Sequence, residues 1–406
     1  MIVQKFGGAT VETPEKIRQI STRITEALTR YQKIIAVVSA MGKTTQQLLQ
    51  LALTMSPRPN LRELDMLLTT GERISASLLT MALIEKGVKA VSLTGSQAGI
   101  ITDENHFNAH IVDIRPERLA RLLQHHDVIV LAGFQGVSME QKNITTLGRG
   151  GSDTTAIAIA AALGAKACHI IKEVPAIFTA DPKQVKSARF LKNLSFDECA
   201  RLTFWGAKVL HYRSVKLAQR YSIPIFVGPV NLDSEHGTWI QDQFEQTEIP
   251  MYEKPHFFAI TAHRAALKIT IICDSCLDAQ TQIGTTLKEH QIIDPLILHV
   301  YQSDRKKVNV LLTSPEEVID QIKNLLPHQS RFTSVTPTSI VSIHARPVTS
   351  PALQELVIQK IRPWAEQIDH MFVSDQGMHF CVPPEHHEVI IKTLHQLLET
   401  AESSKE

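Results

Sequence analysis

Over roughly the first 245 residues, short β-branched runs alternate with longer stretches in which apolar residues recur every three or four positions. The runs IVQKFG, IIAVVSA, AVSLTG, DVIVLAGF, CHIIKEV and IPIFVG read as strands. Helical periods fill the gaps. One spans residues 13–31 and carries Pro14 at a favourable early position; another spans 70–86 and stops at Gly87. Near-continuous apolar strands separated by helices predict an α/β fold, with an open, mostly parallel sheet sandwiched by helices.

The texture changes at DSEHGTWIQDQFEQTEIPMYEKP, which is polar, contains two prolines and shows no clear period. Beyond it the same order of patterns occurs twice. ALKITIICDS, LDAQTQIGTTLKEH, LILHVYQS, KVNVLLTS and PEEVIDQIKNLL form one set. TSIVSIHARP, SPALQELVIQKIRPWAEQ, DHMFVSD, GMHFCVPP and EHHEVIIKTLHQLLETA form the other. Each set reads strand–helix–strand–strand–helix, a ferredoxin-like unit. The expected domains are therefore 1–245, 255–330 and 335–406.

Composition narrows the function classes. A chain of 406 residues, 43% apolar and 20% charged, is long enough for more than one core. A net charge of +1 with scattered Lys and Arg argues against nucleic-acid or acidic-membrane partners. The start MIVQKFGGAT lacks signal-peptide character and no run spans a bilayer, so a cytoplasmic location is expected. Five cysteines without framework spacing suggest reduced thiols, and the Cys273–Cys276 CDSC pair reads as a strand end entering a loop. His125–His126 and His386–His387 lack ligand context and read as solvated positions.

Two strand ends and two helix starts carry candidate chemistry. QKFGGAT puts Lys5 just ahead of Gly7 and Gly8, an arrangement suited to an anion cradle with a point charge beside it. VVSAMGKTT offers Ser39, Thr44 and Thr45, and LLTTGERIS offers Glu72. In TTLGRGGSDTT, Gly148, Gly150 and Gly151 expose backbone, Ser152 and Asp153 suit an N-cap, and the following helix directs its positive end at an anion. Arg149 can clamp a carboxylate through two hydrogen bonds, and Glu72 can accept from an amine. An amino-acid substrate beside a polyphosphate fits this set, although each residue singly also serves as an ordinary capping or surface group.

KFGG, VVSAMGKTT, DMLLTTGERIS, TGSQAGI, GFQG, TTLGRGGSDTTA, FTADPK and GAKVLH stand in the order found in aspartate kinases, which the chain resembles over most of residues 1–230. The tail resembles the paired ACT domains of the same enzymes by position and pattern. The resemblance implies ATP-dependent phosphorylation of the side-chain carboxylate of L-aspartate, the first step toward lysine, threonine and methionine. It implies catalytic roles for Lys5, Asp153 and Lys208, with Gly7 and Gly8 cradling phosphate and Asp153 ordering the lysines. Ser39, Thr44, Thr45, Glu72, Arg149, Gly150, Gly151 and Ser152 would hold aspartate. Lys172, Glu173, Phe178 and Asp181 would lie along ATP. It further implies Mg²⁺ carried with ATP and no dedicated protein metal site, together with a homodimer or larger homo-oligomer formed through the tail.

The chain departs from the family pattern in places. Lys172 to Phe178 read KEVPAIF, where relatives carry a Thr-Asp pair and then a glycine and a tyrosine, so a short hydroxyl has become a lysine. Tyr212 replaces a proline in KVLHYR, and the tail loops CDSCLDAQ and HARPVTSP lack the glycine of effector-binding relatives. Self-association without effector binding is therefore the expected role of the tail. Two alternatives stay open on sequence alone: a catalytically weak regulatory paralogue, and a related kinase of another small acid.

Overall fold

The computed structural model describes residues 1–174, 176–230, 237–242, 256–289, 296–314, 316–326, 332–346 and 350–403. Pro175, most of the polar stretch before residue 256, and positions 347–349 within HARPVTSP lie outside the described residues. The chain forms two compact units. The first comprises 1–177, 190–200 and 208–245; the second comprises 178–189, 201–207 and 246–406.

The first unit is built on an eight-stranded sheet in the order Asn193–Leu194, Thr238–Ile240, Ile225–Gly228, Cys168–Ile171, Ile2–Phe6, Ile34–Val38, Val128–Ala132, Ala90–Leu93. All adjacent pairs are parallel except that of Ile225–Gly228 with Thr238–Ile240. The six strands expected from the apolar runs are all present, and Ile34–Val38 and Val128–Ala132 are buried at every position. Strands covered on both faces need no polar alternation, which is why these runs read continuously.

The helix Pro14–Ala27 starts at Thr13, whose side chain accepts from the Lys16 N–H. It packs with Thr70–Glu85 over one face of the sheet, sharing a core of Ile17, Ile20, Ile24, Leu79 and Leu83. Gly151–Ala162 packs against Ile2–Phe6 and Ile34–Val38 and is buried from Gly151 through Ala160; its alanines permit that close seat. A second, four-stranded sheet orders Ile111–Ile114, Ile100–Thr102, Gln135–Ser138 and Ile144–Thr146. The last of these runs into the glycine turn at 148–151.

The second unit holds one six-stranded antiparallel sheet: Leu296–Asp304, Lys307–Thr313, His256–Ile272, Phe332–Arg346, Gly377–Val382, His370–Ser374. Strand–helix–strand–strand–helix occurs twice, with helices Cys276–Glu289 and Glu316–Leu325 in one copy and Pro351–Ile361 and His387–Ser403 in the other. The copies are fused, because His256–Ile272 and Phe332–Arg346 pair along most of their length. The CDSC turn caps a helix: Ser275 Oγ accepts from the Asp278 N–H at 3.1 Å. No helix among the described residues is long and apolar enough to cross a membrane.

Candidate active site

Lys5 lies on a buried strand, and its ammonium meets the Asp153 carboxylate at 2.6 Å with side-chain exposures of only 8% and 7%. Asp153 sits in the first turn of Gly151–Ala162. Burial alone would push its carboxyl pKa up, but the charges of Lys5 and Lys172 hold it below the usual value, so the carboxylate stays ionised. Lys172 follows the neighbouring strand directly. Its ammonium stands 3.9 Å from the other Asp153 oxygen and donates to the Val209 carbonyl. Burial, the largest influence, lowers the Lys172 pKa despite Asp153.

The glycine turn takes the shape its sequence requires. Gly148 and Gly150 adopt φ of +69° and +71°, a region that side-chain-bearing residues rarely enter. A Cβ on Gly150 would also lie 2.3 Å from His211 Cβ. Gly150 occupies the N-cap position without any side-chain cap, which corrects the expectation that Ser152 and Asp153 would fill it. They lie two and three positions further in, at the second and third helical positions, buried rather than capping. Arg149 stands exposed at the tip of the turn.

The first strand end joins the second through backbone. Gly42 N–H donates to the Gly8 carbonyl at 3.0 Å, and a Cβ on Gly8 would press to 3.0 Å from the Ala40 carbonyl oxygen. Gly7 is already engaged, since its N–H donates to the Ile171 carbonyl at 3.3 Å. The helix Thr44–Met55 begins at Thr44, whose hydroxyl donates to the Met41 carbonyl at 2.6 Å; Thr45 and Ser39 are half-buried nearby in sequence.

Glu72 enters from the start of Thr70–Glu85 and is 3% exposed. One carboxylate oxygen accepts from the Ala40 N–H at 3.0 Å, and the other is buried with no partner. Burial raises its pKa to about 7, against the opposing effects of the Ala40 N–H and the Lys5 charge. An unpaired buried carboxylate oxygen beside an ammonium-bearing strand end is a ready acceptor for a ligand cation.

Other expected residues lie apart from this cluster. Glu173 is exposed and paired with Lys16 at 2.6 Å. Lys208 is exposed in a turn of the first unit. Phe178 and Asp181 belong to the second unit, where Arg264 meets the Asp181 carboxylate at 2.9 Å.

A supporting carboxylate escaped the sequence reading. Asp65, fully buried on helix Leu61–Leu68, accepts from Thr146 Oγ at 2.5 Å and from the Phe107 N–H at 3.1 Å, and contacts His106 Nδ1 at 2.6 Å. Arg213 donates to the carbonyls of Leu147 at 2.9 Å and Ala109 at 2.8 Å. Together they fix the strand that feeds the Arg149 turn. A charged residue inside DMLLTTGERIS was the available signal, but nothing local says that its partners come from residues 106–146.

An open parallel sheet with glycines, ammonium groups and a helix start gathered at its strand ends defines an α/β enzyme that handles a phosphorylated ligand. The model of the amino acid kinase family matches residues 1–229. The chain is 36% identical to the aspartokinase of Geobacillus stearothermophilus, covering 100% of this chain and 98% of that protein. It is 47% identical to the aspartokinase of Mycolicibacterium smegmatis across 67% of this chain and 64% of that protein. The crystal structure of E. coli aspartokinase III in complex with aspartate and ADP shares the fold, with a TM-score of 0.77 at 21% identity over 98% of this chain and 99% of that one. The chain belongs to the amino acid kinase family and, within it, to the aspartokinases.

Proposed function

We propose that the protein transfers the γ-phosphoryl group of ATP to the side-chain carboxylate of L-aspartate, yielding 4-phospho-L-aspartate and ADP, and so opens the route to lysine, threonine and methionine. The observation that carries this reading is the Glu72 oxygen, buried without a partner near the Lys5–Asp153 pair. It fits the amino group of an amino acid. Arg149 supplies the matching fork for the α-carboxylate, and Gly150, Gly151, Ser152, Ser39, Thr44 and Thr45 are the further residues assigned to aspartate.

The chemistry asks for no general base, because a carboxylate nucleophile is already ionised. One aspartate oxygen forms the new bond to the γ-phosphorus, and the bond to the β-bridging oxygen breaks with its electron pair leaving on ADP. The protein's task is alignment and charge neutralisation. Lys5 places a desolvated ammonium at the transferring group, Asp153 holds that ammonium in place, and Gly8 lets the backbone come close. Mg²⁺ enters with ATP as part of the substrate. Asp153 is already committed to Lys5, which fits a metal carried mainly by the nucleotide's own phosphates.

The second unit is assigned to self-association as a homodimer or larger homo-oligomer. Exposed Leu296, Met371 and Val373 on its two edge strands support this. The test is ADP release and hydroxylamine-trapped acyl phosphate across a panel of amino and dicarboxylic acids, with and without lysine and threonine. Aspartate alone should yield hydroxamate; equal ADP release with every acid and no hydroxamate would defeat the reading.

A further inference from the structure

The family resemblance gives the second phosphate-facing ammonium to Lys208, yet that side chain is exposed and makes no ion pair among the described residues. Lys172 stands where such a group is needed. Phe6 and Ile171 are register partners in adjacent parallel strands, so Lys172 leaves the sheet level with Gly7. The Lys172 N–H donates to the Gly228 carbonyl at 3.0 Å, which fixes its backbone to the next strand as well.

Asp153 lies between two ammoniums, with Lys5 2.6 Å from one oxygen and Lys172 3.9 Å from the other. We infer that Lys172, rather than Lys208, is the second ammonium of the phosphoryl-transfer centre and binds the terminal phosphates of ATP opposite Lys5. The inference rests on the reading of this site as a kinase centre.

Charge balance supports it. The buried Lys5 ammonium and the partly exposed Lys172 ammonium share the Asp153 carboxylate, so these three groups carry a net positive charge, and burial already works against the Lys172 charge. A polyanion supplies the missing negative charge. Lys172 is also tied to the carbonyl of Val209, the residue after Lys208, so the same ammonium anchors the turn that carries Lys208. The hydroxyl expected at this position in aspartate kinases can do neither.

Isothermal titration of ATP with Mg²⁺, and of AMP, into the full-length wild type and the variants Lys172→Met, Lys172→Thr, Lys172→Arg and Lys208→Met separates the two lysines. Loss of a charge-assisted contact to phosphate should weaken ATP by about 30-fold in Lys172→Met and Lys172→Thr while changing AMP by less than about threefold. Lys172→Arg should stay within about fivefold of wild type for ATP, which keeps the comparison alive if the neutral variants do not fold. Lys208→Met should stay within about threefold. The opposite ranking, with Lys208→Met losing ATP and the Lys172 variants retaining it, would overturn the inference. The failure of the kinase reading looks different: wild type would bind ATP with the predicted ranking but phosphorylate no carboxylic acid.

Discussion

Glu72 shows most plainly how a single residue trades stability for binding. Burial holds its carboxyl at a pKa of about 7 in the fold, well above the usual carboxylate range. Between that range and this value the native state keeps a proton that the unfolded chain has released, so stability falls as pH rises through this window, and the loss is complete above about pH 7. At pH 8, Glu72→Gln should therefore raise the melting temperature of the ligand-free protein by a few degrees, equivalent to roughly 1–3 kcal/mol. The same variant should raise the KM for aspartate at least about tenfold and flatten the fall in that KM between pH 6 and 8, because only an ionised Glu72 holds an ammonium. A lower melting temperature with unchanged KM would remove Glu72 from the substrate site. Lys5 is a transition-state residue by the same logic. Lys5→Ala should lower kcat at least about 100-fold in steady-state assays while circular dichroism shows an intact fold, and near-normal turnover would contradict its place at the transferring group.

At the scale of elements, the glycine turn depends on parts that come from far along the chain. Asp65 joins helix Leu61–Leu68 to Thr146 and to residues 106 and 107, and Phe107 itself adopts φ of +69°. Asp65→Asn keeps the shape but cannot accept at every oxygen, so it should lower the melting temperature by several degrees. It should also raise the KM for aspartate about tenfold, with a change of less than about threefold for ATP, the kinetic pattern expected of a displaced Arg149. Equal effects on both substrates would mean that Asp65 supports the fold alone. The parallel strands were legible because they are buried on both faces and leave long apolar runs. The four-stranded sheet was not: Ile100–Thr102 and Ile144–Thr146 span three residues each, too short for any period to register. Lys5, Glu72, Arg149 and Asp153 were legible as candidates because glycines or strand ends mark them. The helix start was misread: Gly150 takes the N-cap position with φ of +71°, where a Cβ would run into His211, a neighbour that no local pattern announces.

The whole molecule divides differently from the linear order of its patterns. Phe178 and Asp181 sit in a stretch that resembles a nucleotide-site segment, yet 178–189 and 201–207 fold with the C-terminal strands. Ala180 and Val185 belong to the core formed with Phe380, Ile390 and Leu394. Trp205 packs with Ala266, Leu311, Ile340 and Cys381, stacks on His379 with ring centroids 3.7 Å apart, and donates to Gln376 at 2.7 Å. Side chains of the two edge strands also stack on one another, Tyr301 on His370 with ring centroids 3.7 Å apart and His299 on Phe372 at 4.0 Å. Removal of residues 250–406 would uncover these apolar side chains, so the truncated chain should aggregate in light-scattering measurements. A monodisperse, folded fragment would show that 178–189 and 201–207 do not depend on the second unit.

The central claim is that a carboxylate oxygen of aspartate attacks the γ-phosphorus, and oxygen tracing tests it most directly. Aspartate labelled with ¹⁸O in its side-chain carboxylate is incubated with the protein, ATP and Mg²⁺, and the product is trapped with hydroxylamine. Hydroxylamine attacks the acyl carbon, so the bridging oxygen leaves on phosphate. One ¹⁸O atom in the released phosphate for each hydroxamate formed is the predicted result. Unlabelled phosphate released without hydroxamate would assign the attack to water and contradict the account.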